Sequence, residues 1–323
     1  NRRGMASRVF SVIDRDLRAE PLSAPILTVA AALDHYVIKS PNFDSPISLL
    51  RDHTQGLDWR QLEEFDIVHL HGINGALDLT TVAKHLAGAR VVWTLHDMNP
   101  FTGVCHFALE CDGFTRACGR CPATRAIFQP MVEKSLTRKS VALQKLNHLS
   151  IVSPSRWLAS EAARSSLFAD QEIDVINNPV GSEFFESPPA EKAPTAEGGL
   201  TVGVIAQNLS DPRKNVAEAH RAFLRIIDGG VPAHMFLIGG GGHEFVGPNV
   251  HRLGSLPAKE MIPYLDSWDV LINPSRAENA PLAIGEAASR GCSAFVANEG
   301  GMPSMVSDLG GGSSYNSEAE LTA

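Results

Sequence analysis

Two carboxylates stand eight positions apart around the start of a predicted helix. Glu278 lies in a polar turn after the apolar run Trp268–Asn273, and Glu286 lies inside a run of good helix formers between Pro281 and Gly291. Proline just inside a helix start and glycine just past its end are the usual punctuation of a helix. The free N–H groups of a first helical turn bind anions. An anion site bracketed by carboxylates suits a ligand with phosphates in its middle and hydroxyls at both ends, such as a nucleotide sugar.

Two adjacent cations follow another strand-like run. Arg213 and Lys214 end the turn after Leu200–Ala206, immediately before a helical pattern over Val216–Ile227. A pyrophosphate needs cations or oriented N–H donors, and a lysine at a helix start answers both needs. The alternative is that both side chains are solvated loop cations.

Four of the five cysteines fall within 17 residues, and the last two form a C-x-x-C pair: Cys105, Cys111, Cys118 and Cys121. Without a secretion signal, such a cluster more often binds a metal than forms disulfides. The stretch holds few apolar residues, so we expect a cross-link to order it. A structural tetrahedral zinc site is the first hypothesis, with one or two disulfides or free thiols as the alternatives.

Apolar strand-like runs alternate with helical patterns along both halves of the chain. The strand candidates are Ile26–Ala32, Phe65–Leu70, Val91–Leu95, Leu149–Val152, Ile173–Ile176, Leu200–Ala206, Met235–Ile238, Val250–Leu253, Val270–Ile272 and Ala294–Ala297. Several are apolar almost throughout, which is typical of parallel strands buried on both faces. The helical stretches between them indicate βαβ units. The predicted fold class is therefore α/β, with two Rossmann-like parallel-sheet domains.

Residues 187–199 are rich in Pro, Ala, Glu and Gly and have the composition of a linker. The predicted domains are residues 1–186, which carry the cysteine-rich insert 105–121, and residues 200–323. The chain opens directly on a helical pattern, and residues 319–323 look like the start of a helix that is then cut. We therefore expect the first strand and the C-terminal helices of the fold to be missing.

The formal net charge of −8 argues against a nucleic acid or an anionic membrane held by bulk charge. No apolar run reaches the roughly 18 residues that span a bilayer, and no signal-peptide pattern is present. We expect a cytoplasmic protein with at most peripheral membrane contact. Asp14 and Asp16 form a DxD triplet inside a helical pattern, where side chains two positions apart point about 200° apart. They are predicted to be solvated surface rather than a metal site.

The two carboxylates after Asn273-Pro274-Ser275 resemble those of the retaining glycosyltransferases of family 4, which have the GT-B fold. The turn Glu299–Pro303 stands where that family has its Gly-Gly-x-x-Glu turn. The resemblance continues at the ends of four other strands, in Asp66–Gly72, Trp93–Asp97, Asn208–Asn215 and Phe236–Gly242. The cysteine insert resembles one found in a bacterial exopolysaccharide and capsule subset of the family.

The resemblance implies an enzyme that moves a sugar from a nucleotide-diphosphate sugar to a glycan, lipid-linked or small-molecule acceptor, in a cleft between two facing domains. It implies catalytic roles for His96, Glu278 and Lys214. It implies donor binding by Gly4, Asn208, Arg213, Lys214, Gly239, Asn279, Ala280, Leu282, Ala283 and Glu286. Beyond the donor substrate, it implies no cofactor or metal for catalysis.

The implied roles differ along the donor. Glu286 would accept the ribose hydroxyls, Glu278 and His96 would hold the hexose, and Lys214 would hold the diphosphate. Asn208 departs from the family pattern because an arginine is usual there, and Arg213 is a candidate replacement. That departure keeps a non-catalytic nucleotide-sugar-binding or scaffold relative open as an alternative. A UDP-sugar epimerase of the same fold is the third.

Two histidines alternate with apolar residues on a first-half strand. His69 is predicted to be a satisfied core residue. His71, nearer the carboxyl end, is a weaker candidate for a ligand-facing position, since ligands bind at that end in parallel sheets.

Overall fold

The computed structural model describes residues 32–49, 58–188 and 199–322. Gly4, the triplet at residues 14–16, nearly all of the first predicted strand and most of the predicted linker lie outside these ranges. The chain divides into two compact units. One is built from the described residues up to Ser153 together with Ala159–Val175, and the other from Pro154–Leu158 and the described residues from Ile176 onward. The domain boundaries at residues 186 and 199 stay a prediction.

The first unit contains a parallel sheet with the order β1-β2-β3-β4 among the residues described. Its strands are β1 (Ile67–His71), β2 (Arg90–Thr94), β3 (Leu149–Ser153) and β4 (Ile173–Val175). The helices in this part of the chain are α1 (Leu79–Leu86), α2 (Gln129–Leu143) and α3 (Arg156–Arg164), of which α3 divides between the two units.

Helix α1 begins where its sequence provides a cap and an apolar stripe. The side chain of Asp78 accepts a hydrogen bond from the Thr80 N–H at 3.0 Å, which satisfies one of the free donors of the first turn. Leu79, Val82 and Leu86 then recur at helical spacing and are buried. The predicted alternation of strand and helix is confirmed in this unit.

The cysteine insert is ordered by packing. Phe114 is buried and its ring centroid lies 5.8 Å from that of Phe101, which in turn lies 6.0 Å from Phe168. The insert is further tied down by the Ser166 N–H, which donates to the Phe114 carbonyl at 3.1 Å. The expected cross-link is not found in the described part of the chain, where the four cysteines form no disulfide and no metal-holding group.

The second unit contains a six-stranded parallel sheet with the order β10-β9-β8-β5-β6-β7. Its strands are β5 (Leu200–Asn208), β6 (Ala233–Gly240), β7 (Val250–Gly254), β8 (Val270–Asn273), β9 (Ser293–Ala297) and β10 (Gly312–Tyr315). Its helices are α4 (Glu183–Glu186), α5 (Val216–Asp228), α6 (Ala258–Leu265), α7 (Leu282–Ser289), α8 (Met302–Leu309) and α9 (Glu318–Thr322). The α/β class with two parallel-sheet domains is confirmed.

The strand order of this sheet reverses beside β5. From β5 the chain adds β6 and β7 on one side, then returns to add β8, β9 and β10 on the other. In open parallel sheets, ligands bind beyond the carboxyl ends of the strands at such a reversal, because the two following loops diverge there. The loops after β5 and β8 are therefore the ones expected to build a site. Among the residues described, no helix is both long enough and apolar enough to cross a bilayer.

Candidate functional site

The loops after β5 and β8 meet at the strand reversal. The first closes as a short 3-10 turn, Pro212–Lys214, in which the Asp211 side chain accepts from the Arg213 N–H at 2.9 Å. The second loop is attached to it by the Arg276 N–H, which donates to the Arg213 carbonyl at 2.9 Å. Two turns that are far apart in sequence thus share a backbone hydrogen bond and present their side chains together.

Glu278 lies at the centre of this meeting point. Its Oε1 accepts from Arg213 Nη1 at 3.0 Å and from Lys214 Nζ. The side chains of these three residues are only 11–19% exposed. The same Arg213 nitrogen also donates to the Ala277 carbonyl at 2.8 Å. A carboxylate this far out of water needs its cations, and the cations need an anion of some kind.

A glycine turn fixes the backbone beneath Glu278. Gly300 has φ = +59°, and a Cβ at this position would lie 2.1 Å from the Glu278 carbonyl oxygen. The next N–H, from Gly301, donates to that carbonyl at 2.9 Å. The predicted turn after β9 therefore packs against the loop after β8, and only a residue without a side chain allows so close an approach.

Helix α7 begins directly after this loop. Asn279 is buried and its Oδ1 accepts from the hydroxyl of Ser155 at 2.5 Å, while the Ala280 carbonyl accepts from Asn178 Nδ2 at 3.3 Å. Leu282 and Ala283 occupy the first turn, where N–H groups have no partner within the helix. Ser155 and Asn178 were not found from the sequence, because they belong to strand and helix ends far from any motif.

Glu286 lies one turn further along α7 and is half-buried. Burial raises the pKa of its carboxyl, and the neighbouring charge of Glu183 raises it further. A carboxylate held partly out of water gains more from hydroxyl donors than an exposed one does. The side chain is thus suited to accept hydrogen bonds from a polyol.

Two other predicted donor-binding residues lie at the ends of β5 and β6. The side chain of Asn208 accepts from the Ser210 N–H at 3.1 Å and so stabilises its own turn. Gly239 has φ = +147°, and a Cβ there would lie 1.8 Å from the Ala206 carbonyl oxygen. Close packing of the two strand ends explains this glycine, and its role toward a ligand stays a prediction.

In the first unit, the ends of β1 and β2 bring two histidines together. Parallel pairing sets His71 opposite Thr94, so His96, two residues further on, reaches the same edge. Its Nε2 lies 2.9 Å from Nδ1 of His71. Burial lowers the pKa of both imidazoles; the neighbouring histidines lower that of His71 further, and Asp97 opposes the shift at His96. The two rings are therefore within hydrogen-bond distance, and their surroundings favour the neutral form of each.

His69 does not lie in the core, contrary to the prediction. It is exposed, and its ring lies 4.1 Å from that of His71 between centroids. Its Nε2 lies 2.8 Å from the Thr94 hydroxyl, so the ring is satisfied by a neighbouring strand. Burial lowers its pKa, as does the charge of His96. Alternation along β1 buries Val68 and Leu70 and leaves Ile67, His69 and His71 exposed.

The four cysteines of the insert line one small cavity together with apolar side chains such as Phe43 and Val132. The predicted zinc geometry is not found: in the described part of the chain, no three ligand side chains are arranged to hold a metal ion. All four are free thiols, as is Cys292. Burial raises the pKa of Cys118 to about 11 and that of Cys105 beyond the usual range. Neutral thiols in an apolar cavity act as small hydrophobic groups.

Comparison with known proteins matches the second unit to a family. Residues 200–320 match the family described as glycosyl transferases group 1. The chain is 26% identical over 265 residues to the putative colanic acid biosynthesis glycosyl transferase WcaC of Escherichia coli K12. That alignment covers 76% of this chain and 63% of WcaC.

Solved structures share the fold over most of the chain. Sucrose-phosphate synthase from Thermosynechococcus elongatus has a TM-score of 0.58 at 14% identity, covering 80% of this chain and 63% of that one. Anabaena HepE in complex with UDP-glucose has a TM-score of 0.56 at 16% identity, covering 85% and 73%. The fold is thus of the GT-B type. The chain spans less than two thirds of the length of WcaC and of the synthase.

Proposed function

We propose that this chain, whose residues 200–320 match the family described as glycosyl transferases group 1, transfers a sugar from a nucleotide-diphosphate sugar to a glycan, lipid-linked or small-molecule acceptor. The observation that supports the proposal is that Arg213 and Lys214 both donate hydrogen bonds to Glu278, which lies shortly before helix α7. Two cations therefore lie close to the N-terminus of a helix, and this combination suits the binding of a diphosphate.

In the resting arrangement, Glu278 occupies the cations that a diphosphate would need. A bound diphosphate carries more negative charge than one carboxylate and competes for Arg213 and Lys214. Glu278 would then be released from part of its ion pairing and could accept hydrogen bonds from hexose hydroxyls. We propose that this exchange of partners needs only side-chain motion, because a backbone hydrogen bond from Arg276 to Arg213 already joins the two loops.

The proposed reaction retains the anomeric configuration. The acceptor attacks from the face that the nucleotide diphosphate leaves, and negative charge grows on the leaving oxygen. Lys214, Arg213 and the N–H groups of Ala280, Leu282 and Ala283 stabilise that charge. Glu286 binds the ribose hydroxyls. His96 is proposed to contact the hexose, and no metal is required because cations and N–H donors supply the charge stabilisation.

A non-catalytic binding protein is the less favoured alternative. Its support was Asn208 at a position where the family usually has arginine. Arg213 lies 3.0 Å from Glu278 and next to Lys214. The loop therefore has a second cation, although it comes from a position other than 208. An epimerase remains the third hypothesis and has no separate observation in its favour. We propose a cytoplasmic location and at most peripheral membrane contact.

Thermal shift with UDP, GDP, ADP and dTDP identifies the base, since a ligand that binds only the folded state raises the melting temperature. Sugar donors of the selected base are then incubated with the protein, and the anomeric configuration of the product is read by NMR. We expect release of nucleotide diphosphate and a product with the donor's configuration.

The outcomes separate the hypotheses. Binding without hydrolysis or transfer for any donor would support the non-catalytic alternative. Conversion of a UDP-sugar to its epimer without an acceptor would support the epimerase. Inversion at the anomeric carbon would contradict the retaining mechanism, and the absence of any nucleotide effect would remove the donor site itself.

A further inference from the structure

The first unit holds a hydrogen-bonded serine, histidine and aspartate to which the proposed sugar transfer assigns no role. The Ser48 hydroxyl lies 2.8 Å from Nε2 of His106, and Nδ1 of the same ring lies 2.7 Å from Oδ2 of Asp97. Ser48 and His106 are 58 positions apart, so only the fold brings them together. These are the distances at which a base activates a nucleophile and an acid group orients the base.

The carboxylate of this relay is itself held in place. Oδ1 of Asp97 accepts from the Asn99 N–H at 2.8 Å and from Asn74 Nδ2 at 3.1 Å. Because Nδ1 of His106 faces a carboxylate, that nitrogen carries the ring proton, and Nε2 is left as an acceptor. The Ser48 hydroxyl therefore donates to Nε2, which is the direction that general-base activation requires.

Backbone hydrogen bonds fix the serine against the histidine. The Ser48 N–H donates to the Val104 carbonyl at 2.9 Å, and the His106 N–H donates to the Pro46 carbonyl at 3.0 Å. Asn99 Nδ2 adds a bond to the Ser48 carbonyl at 3.2 Å. Ser48 and His106 thus directly follow the two residues of an antiparallel bridge, Ile47 and Cys105, so forming the reactive geometry needs little reorganisation.

A buried lysine holds the turn between the aspartate and the histidine. Nζ of Lys139 donates to the carbonyl oxygens of Asn99 and Thr102, in the turn that separates Asp97 from His106. Burial lowers the pKa of Lys139 to about 8, and the charge of Asp97 opposes this shift. The amine thus satisfies two backbone carbonyls of this turn.

The relay is accessible. Ser48 is half-buried, and the side chains of His106 and Asp97 are 19% and 16% exposed. Beside the hydroxyl lies Gly75, where a Cβ would stand 3.5 Å from Ser48 Oγ. The glycine leaves open one approach to the hydroxyl that a larger side chain would narrow.

We propose that Ser48 is an activated nucleophile and that the first unit hydrolyses carboxylic esters through it, independently of sugar transfer. Ser48 Oγ attacks the ester carbonyl carbon while its proton passes to His106 Nε2. The C–O bond to the alcohol breaks, and the alcohol leaves with that proton. Water then attacks the acyl-serine, giving a proton to His106 and receiving the acyl group, and Ser48 recovers its proton.

A fluorophosphonate tests the nucleophile directly. The Oγ–P bond forms, fluoride leaves, and the serine proton passes to His106, so that only an activated serine is labelled. We expect stable labelling of Ser48, located by mass spectrometry, and hydrolysis of p-nitrophenyl acetate. Both should be lost in Ser48→Ala and slowed at least about tenfold in His106→Gln and Asp97→Asn.

Ser40→Ala is the matched control, since Ser40 is a half-buried serine on the same stretch and not part of the relay. Circular dichroism melting identifies variants that fail to fold. For that case, Ser48→Cys retains the relay, and iodoacetamide should alkylate the new thiol at least about tenfold faster than the thiol of Ser40→Cys. Labelling of the parent no greater than that of Ser48→Ala, or equal alkylation of the two cysteine variants, would overturn the proposal.

Discussion

At the carboxyl edge of the second unit's sheet, side chains of opposite charge face one another. At the carboxyl edge of the first unit's sheet, neutral histidine rings and hydroxyl groups face one another. Glu278 holds two cations in the former. In the latter, His71 and His96 share a hydrogen bond. Charges that neutralise one another can change partners when a phosphate arrives, while neutral hydrogen-bonded groups can pass a proton. We therefore expect the two edges to serve different steps of the proposed transfer.

The backbone follows the same division. In the second unit, Gly300 has a left-handed backbone and lies so close to the loop of Glu278 that the Cβ of any other residue would overlap with it. In the first unit, the edge residues simply continue β1 and β2. A charged site needs the tighter construction, because the benefit of an ion pair falls quickly with distance and with access of water.

The largest expected effect is on donor binding by Glu286. Glu286→Ala should cost about 2–4 kcal/mol of donor affinity, because a half-buried carboxylate that accepts two hydroxyl bonds is removed. Calorimetry with the selected nucleotide sugar measures it. Glu183→Gln is the control, since it removes the neighbouring charge but leaves the proposed acceptor in place. Unchanged affinity in Glu286→Ala would end the ribose assignment.

The next effect concerns the cations. Lys214→Met should remove about 1.5–3 kcal/mol of transition-state stabilisation, the range for hydrogen bonds to charged groups. Turnover should fall accordingly. Initial rates at saturating donor measure it. Lys259→Met, an exposed lysine at the start of α6, should keep the parent rate. Equal rates in both variants would mean that the cation pair serves only the fold.

A pair of glycines separates packing from backbone strain. Gly300 and Gly254 both have positive φ, +59° and +73°, but a Cβ meets a backbone oxygen at 2.1 Å in the first and nothing within 4 Å in the second. Alanine at either site carries the left-handed strain of about 1–2 kcal/mol. Gly300→Ala should lose a further 1–3 kcal/mol or so of unfolding free energy through overpacking. Denaturant titration of both variants measures the difference, and equal losses would count against the close loop contact.

A smaller effect is expected at the histidine edge. Because burial lowers the pKa of His71 and His96, the unfolded chain binds protons at higher pH than the folded one. Below about pH 6.5 these residues therefore reduce stability as the pH falls. When the pH is lowered from about 7.5 to about 5.5, the melting temperature of the double variant His71→Gln/His96→Gln should fall less than that of the parent. Parallel melting curves would indicate that neither ring is held neutral by the fold.

No effect is expected from chelation. The proposed leaving-group stabilisation comes from Lys214, Arg213 and N–H groups, so transfer should proceed at the parent rate in EDTA. The assay is repeated with and without added Mg²⁺. A loss of turnover that Mg²⁺ or Mn²⁺ restores without refolding would contradict the metal-independent mechanism and make the two edges less different than their side chains indicate.

Much of the second unit's site could be read from the sequence. The apolar runs, the helix punctuation around Pro281 and the adjacent Arg213 and Lys214 are local signals, because strand burial, helix starts and turn composition depend on neighbours in sequence. These signals located the charges and the helix. They also predicted the α/β class and the edge at which the loops of the candidate site lie.

What the sequence did not determine were the partners of those charges. The bond from Arg213 to Glu278 depends on how two loops 65 positions apart pack. The same holds for the bond from Ser155 to Asn279, and for the cysteine insert, where Phe114 finds its apolar contacts in distant elements. The composition of the insert indicated a cross-link, because the insert itself has few apolar residues. The apolar residues that surround it in the fold are not visible in its local sequence.

The sequence by itself thus determined the order of elements, the class of the fold and the residue types near each strand end. Only the tertiary structure decided which side chains meet, including His71 with His96 and Ser48 with His106. The physical reason is range. Propensity, capping and periodicity act over one or two turns of chain. Hydrogen bonds and ion pairs depend on distances of about 3 Å between groups that the chain alone leaves free to be anywhere.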